Sequence, residues 1–386
     1  MRFGTVVILA LGLTLVGCVA EPDPVAREWH PAGPFPSRLF DCVFEPTQEA
    51  LAATDAGLVF AFAGPEHAEN SNCIQEADGP GSIGSDDRVE GADGPVAGVF
   101  VSVYESERIM ALQRLSSGAD AVGSLAIDGL AAGGDEIGLL TRSGDSFTLY
   151  QSRDRGRSWD APIDLGEFPS GTARGLVWTP GGFRVLIVSG VEPVGELLVE
   201  ESGYQRVPVA SSLSPIGGLL KAGQDLYFTR STGPLALAQP EQDGWTVLAD
   251  PSGDGLPWVR RLVGGDELWA VSDWIHPDDS CETFTASVAG DLTVPPNWSS
   301  VGDCVDGVAG PMIATGDDLL SVGFWTEDGS TLGVESWAGW RDSPEVVAQS
   351  LWWHQQASTP LLPLRAAWTP LEQAAWALND GFLYEL

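Results

Sequence analysis

Basic residues are scarce in this 386-residue chain: Lys and Arg together number 19 against 54 Asp and Glu, for a formal charge of −35. Lysine occurs once, at Lys221. A chain this acidic has no basic surface with which to neutralise a phosphate backbone, so nucleic acid is excluded as a partner. Histidine is nearly as rare, with His30, His67, His276 and His354 scattered along the chain and no CxxC beside them. General-base chemistry near neutral pH has few candidates here, and the clustered spacing of a zinc site is missing. GxSxG, GxxxxGK[ST] and strand-linked GxGxxG are also missing, which leaves serine-hydrolase, P-loop and dinucleotide readings without their motifs. The longest apolar run, Thr5 to Gly17, has thirteen residues, too few to span a bilayer. What the chain does have is 44% apolar residues and 15 Trp, enough for one large core or two ordinary ones, so compositional disorder is excluded for most of its length. Its 47 Gly and 27 Pro point to many turns.

Met1-Arg2 followed by the run from Thr5 to Gly17 has the form of a signal peptide, so residues 1–17 read as a removable leader. Leu15-Val16-Gly17-Cys18 resembles a bacterial lipobox. The resemblance implies a diacylglyceryl thioether on Cys18 and attachment to a membrane through that lipid; an ordinary signal peptide cleaved near Ala20 is the alternative. Val19 stands where an Asp would favour inner-membrane retention, which points to the outer membrane, with the periplasmic or surface face left open. Residues 18–37 carry Pro22, Pro24, Pro31, Pro34 and Pro36 and read as an extended tether, with the folded domain at 38–386. The remaining Cys42, Cys73, Cys281 and Cys304 are an even number in an exported chain and predict two disulfides. Three pairings are possible; Cys42 with Cys73 and Cys281 with Cys304 are favoured because each closes one local excursion.

Self-similarity is the strongest signal in the chain. Leu130, Leu176, Leu219, Leu262 and Met312 each sit in a short apolar strand followed by a Gly- or Asp-rich turn and a second apolar strand, at spacings of 46, 43, 43 and 50 residues. Each unit then reaches an aromatic: Trp159, Tyr204, Trp245, Trp298 and Trp340. Weaker copies stand at the front, around Leu51, and at the back, from Arg365. Four strands per unit in seven units is the arithmetic of an all-β propeller of seven four-stranded blades, or of six if the front unit is an elaborated cap. The last unit supplies about three strands, so an N-terminal strand at Leu39 to Phe44 is expected to complete it and close the ring. The segment from about residue 64 to 95 reads as an acidic loop inserted in the first unit and exposed on one face.

Ser152-Arg153-Asp154-Arg155-Gly156-Arg157-Ser158-Trp159 matches the S-x-D-x-G-x-x-W Asp-box, and on these eight residues the chain resembles the sialidase-like (BNR-repeat) propellers. Physically the motif is a turn between third and fourth strands: Asp154 can accept backbone N–H bonds, Gly156 can take positive φ, and Trp159 can pack between blades. In the family such boxes are peripheral and structural, so the match speaks for the fold. The resemblance also implies arginines that grip a substrate carboxylate, with a tyrosine nucleophile, a glutamate partner and an aspartate acid/base. Arg174, Arg260 or Arg261, and Arg365 stand one or two residues before the repeat anchors, where they could form an anion-binding ring at the channel mouth; pairing with neighbouring carboxylates is the alternative. No arginine-isoleucine-proline motif is present, and none of Tyr104, Tyr150, Tyr204, Tyr227 and Tyr384 has the sequence setting of a nucleophile.

Glu76, Asp78, Asp86, Asp87, Glu90 and Asp93 could hold Ca²⁺ through oxygen ligands, although their spacing is not that of an EF-hand loop; no other cofactor is indicated. Trp269, Trp274, Trp325, Trp337, Trp352 and Trp353 could stack on sugar rings if exposed, or pack between blades. The resulting expectation is a monomeric, lipid-anchored cell-envelope propeller that binds a glycan or protein partner without catalysis. The alternatives are a divergent sialidase-like glycoside hydrolase and an envelope assembly or stability factor.

Overall fold

The computed structural model describes residues 30–31, 48–55, 57–65, 74–76, 97–105, 108–109, 112–118, 125–189, 192–200, 203–207, 209–231, 236–240, 243–248, 259–265, 267–275, 280–288, 292, 297–303, 308–315, 318–324, 331–338, 345–353, 365–369, 374–379 and 382–385. Their strands assemble into seven sheets. The first runs Gln48–Thr54, Gly57–Pro65, Ala97–Glu105, Leu112–Gly118 from its inner to its outer edge. The second follows with Leu125–Gly133, Glu136–Ser143, Ser146–Ser152 and Ile163–Glu167, and the third with Gly171–Thr179, Gly182–Ser189, Glu192–Glu200 and Gly203–Val207. Ile216–Ala222, Asp225–Arg230, Ala236–Ala238 and Thr246–Val247 form the fourth, and Val259–Gly264, Leu268–Ile275, Cys281–Val288 and Ser299–Asp303 the fifth. The sixth contains Val308–Thr315, Asp318–Phe324, Thr331–Ala338 and Glu345–Trp353. In each of these sheets the four strands pair antiparallel with their sequence neighbours, and the first strands touch one another in chain order. The chain is an all-β propeller.

Each repeat anchor falls in the first strand of its sheet, and Tyr204, Trp245 and Trp298 open or directly precede a fourth strand. The second strands of the second and third sheets carry apolar runs because each is covered on both faces. Leu139 packs toward the first sheet, among Val59, Ala61 and Val101, while its neighbour Leu140 packs toward the third, among Phe183, Val185 and Ile187. In the third sheet Val185 and Ile187 look back while Leu186 and Val188 look forward to Leu219 and Phe228. The alternation of the pleat thus feeds two different inter-blade cores from one strand. Close approach of the first strands requires glycine: a Cβ on Gly175 would stand 2.7 Å from the Leu219 carbonyl oxygen, so the third and fourth sheets meet backbone to side chain there.

Two expectations about the edges are modified. The seventh sheet has Arg365–Thr369, Ala374–Asn379 and Phe382–Glu385, and the strand added to its outer edge is His30–Pro31, pairing with Glu385 and Tyr384. That strand comes from within the segment read as tether, and Leu39 to Phe44 lies outside the described residues. Two residues suffice because the exposed edge is itself only four residues long. The acidic insertion contributes a strand as well: Ile74–Glu76 pairs in parallel with the outer edge of the first sheet, at Leu112 to Arg114.

Candidate functional site

The innermost strands do not run straight. Between the first and second strands of the second to sixth sheets the pairing register shifts once, at Asp128, Arg174, Gly217, Arg260 and the pair Gly310-Pro311. Each bulge lies two residues before the repeat anchor. A bulge leaves one residue unpaired and re-aims its side chain, so five consecutive first strands interrupt the ladder at one level near the end of the channel where they begin. In the first and seventh sheets the first and second strands pair without a shift.

The charges at this level differ from sheet to sheet. Asp128 is neutralised by Arg142, whose Nε lies 2.7 Å from Oδ2 and whose guanidinium also lies over the Phe147 ring. Arg174 is exposed. Arg260 occupies the bulge of the fifth sheet, whereas Arg261 is in regular register with Val271, which separates two arginines that the sequence left as alternatives. Arg365 is exposed, pairs with Leu378 at the start of the seventh sheet's first strand, and belongs to no bulge.

At the opposite end, the turn from Ser152 to Trp159 is closed by its own side chains. Ser152 Oγ accepts the Gly156 N–H at 2.7 Å and donates to Asp154 Oδ1 at 2.9 Å. Asp154 also accepts from the Ser158 N–H at 2.8 Å and the Ser158 hydroxyl at 2.6 Å. Burial raises the Asp154 pKa, but the bonds from Ser158, Ser152 and Arg157 outweigh it and hold the carboxyl below the ordinary aspartate value. Gly156 has φ of 81°. Trp159, 1% exposed, fills the core between the first and second sheets with Val103, Ile137 and Tyr150. From the same turn Arg155 reaches Asp135 in the hairpin joining the first two strands, at 2.5 Å.

All five tyrosines lie on second, third or fourth strands. Tyr104 packs against Trp376 with the rings tilted by 58°, Tyr150 is buried beside Trp159, and Tyr204 is exposed on an outer strand. Tyr227 is buried, and burial together with the Asp225 charge pushes its phenol up, the opposite of an activated nucleophile. Trp269 is 4% exposed and is a core residue, which removes it from any sugar-stacking surface. Trp274, Trp337, Trp352 and Trp353 lie in strands, and Trp325 lies outside the described residues. Glu76 falls in the added edge strand. Asp78, Asp86, Asp87, Glu90 and Asp93 lie outside the described residues, as do Cys18, Cys42, Cys73 and Cys304. Among the described residues no cluster of three or more metal-ligating side chains occurs. Cys281 is disulfide-bonded.

Fold and site together define a β-propeller with a bulged rim at one end of its channel and no described catalytic constellation. No protein-family model matches the chain, and no curated protein matches its sequence. Solved propellers are similar to it. YCF48 from Cyanidioschyzon merolae is 11% identical with a TM-score of 0.43, over 75% of this chain and 91% of that one. A structure of YCF48 bound to D1 peptide is 13% identical with a TM-score of 0.47, over 76% and 89%. The WD40 domain of SCAP from fission yeast is 11% identical with a TM-score of 0.45, over 93% and 97%. The propeller assignment stands on the sheet order and strand contacts described above.

Proposed function

We propose that this chain is a lipid-anchored protein of the bacterial cell envelope, a seven-bladed propeller that binds an acidic glycan or protein partner through the bulged rim and carries out no catalysis. The observation that carries the reading is the row of bulges at one level in five consecutive first strands. Bulges break pairing at a cost, and their recurrence at a rim re-aims residues toward whatever approaches the channel. Arg174 and Arg260 occupy two of these positions in a protein of charge −35, and a guanidinium fork suits a carboxylate. The seven sheets and the contact between the first strands of the first and seventh support a closed ring. The lipobox-like Leu15 to Cys18 supports the anchor, and the outer membrane is its proposed location. The register of Glu282 with Asp303 supports Cys304 as the partner of Cys281, and Cys42 with Cys73 is proposed for the other pair.

The binding test is calorimetric titration with acidic oligosaccharides and with acidic peptides. The Arg174→Ala/Arg260→Ala variant is expected to bind at least about tenfold more weakly, as befits loss of charge-assisted hydrogen bonds. Equal binding by the variant to every ligand the parent binds would remove the rim from the reading. Metabolic labelling with a radioactive fatty acid tests the anchor; label is expected on the wild type and not on Cys18→Ser.

A further inference from the structure

The only lysine of the chain sits at the other end of the channel wall. Lys221 is in the first strand of the fourth sheet, two residues after Leu219, and Trp178 is in the first strand of the third, two residues after Leu176. The shared register brings them together: Lys221 Nζ lies 4.7 Å from the centroid of the Trp178 ring. The indole is fixed in turn, since its Nε1–H donates to Glu136 Oε2 at 2.5 Å and its ring lies against Gly133, where a Cβ would meet it at 2.1 Å. On the far side Gly264 approaches the Lys221 carbonyl so closely that it too has no room for a side chain. Gly133 thus makes room for the indole and Gly264 for the Lys221 backbone, and the Lys221 side chain is half-buried rather than covered.

Two acidic groups of these hairpins are engaged elsewhere. Glu136 accepts the indole N–H, and Asp225 accepts from the Tyr227 hydroxyl at 3.5 Å. Among the described residues no carboxylate pairs with Lys221, in a chain of 54 acidic side chains. Burial pulls the ammonium below the ordinary lysine range, the cost of a charge whose water has been partly removed without a counter-ion to replace it. The contact with the indole face offsets part of that cost and fixes the direction of the group.

We propose that Lys221, held over the Trp178 indole at the turn end of the first strands, is the anchor of a monocarboxylate-binding site on the face opposite the row of bulges. A compact ammonium is a point charge with three donors, suited to one carboxylate oxygen pair. The protein's own negative field penalises each ligand charge, so a single carboxylate is favoured over a phosphate carrying about two. The carboxylate can come from a sugar acid or from the end of a peptide chain, and the site as built reads the group they share. This inference does not depend on the arginine rim, and either can fail without the other.

A single lysine makes the experiment clean. Biosynthetic labelling with [ε-¹³C]lysine leaves the ammonium and its three donors unchanged and gives one lysine NMR signal, assigned by its absence in Lys221→Arg. Glucuronate and N-acetylglycine are titrated separately, with sodium chloride at matched ionic strength as the control. The expected result is a shift that saturates by about 10 mM with at least one carboxylate and not with chloride. Trp178→Phe, which keeps a ring face, should retain it, and Trp178→Leu should weaken it about tenfold. Saturation by glucuronate alone, by N-acetylglycine alone or by both supports the site and names the source of the carboxylate. No saturable shift with either, or an equal shift with chloride, overturns it.

Discussion

Asp154 shows how one side chain sets the stability of a turn. Its folded-state pKa lies below the ordinary value of 3.8, so the stabilisation it provides is complete above that pH and is lost as the pH falls through the lower folded value. Asp154→Asn is expected to lower stability at pH 7 by about 2 kcal/mol and to flatten the acid side of the profile below about pH 4, as read by urea unfolding across pH. Gly156→Ala should cost about 2–3 kcal/mol by the same assay, because its φ of 81° strains any Cβ and that atom would stand 2.7 Å from Val103 Cγ2. Val103 belongs to the first sheet, so the damage reaches a neighbouring blade. These two roles were legible in sequence, since the S-x-D-x-G-x-x-W spacing is itself the hydrogen-bond pattern. The stacking of Lys221 on Trp178 was not, although the 43 residues between them equal the repeat, because nothing in a repeat says which equivalent side chains point toward each other.

At the level of the strand, the pattern to read was an apolar run bounded by tight turns, and it located the first and second strands of the middle sheets well. Leu186 lies in such a run and is wholly buried between the third and fourth sheets. Leu186→Ala is expected to destabilise by about 3 kcal/mol in equilibrium unfolding, the usual cost of a cavity with little room to collapse. Gly175→Val should do at least comparable damage through the opposite fault, overpacking against the Leu219 carbonyl. The bulges escaped the sequence reading for a physical reason. Asp128, Arg174, Gly217, Arg260 and Gly310-Pro311 share no side-chain chemistry, and what repeats is a slip in pairing that any residue can occupy. The closing strand was expected a few residues too late for a similar reason: His30-Pro31 has neither alternation nor length to announce itself.

At the scale of the molecule, ring closure depends on residues from the two ends of the chain. Deleting residues through Pro31, compared with deleting residues through Arg27, is expected to lower the thermal midpoint by several degrees and to increase aggregation, because it uncovers the edge of Phe382–Glu385. Scanning calorimetry with light scattering reads both effects. The same seam governs how the molecule bears load. A pull applied through the N-terminal segment enters the fold at His30–Pro31, two residues held against the last strand, while the first six sheets bear it only after that pair has parted. If the chain is held through its N-terminal segment as proposed, tension would unlatch the ring at this one place before it unfolds any blade, and the seam would act as a mechanical fuse.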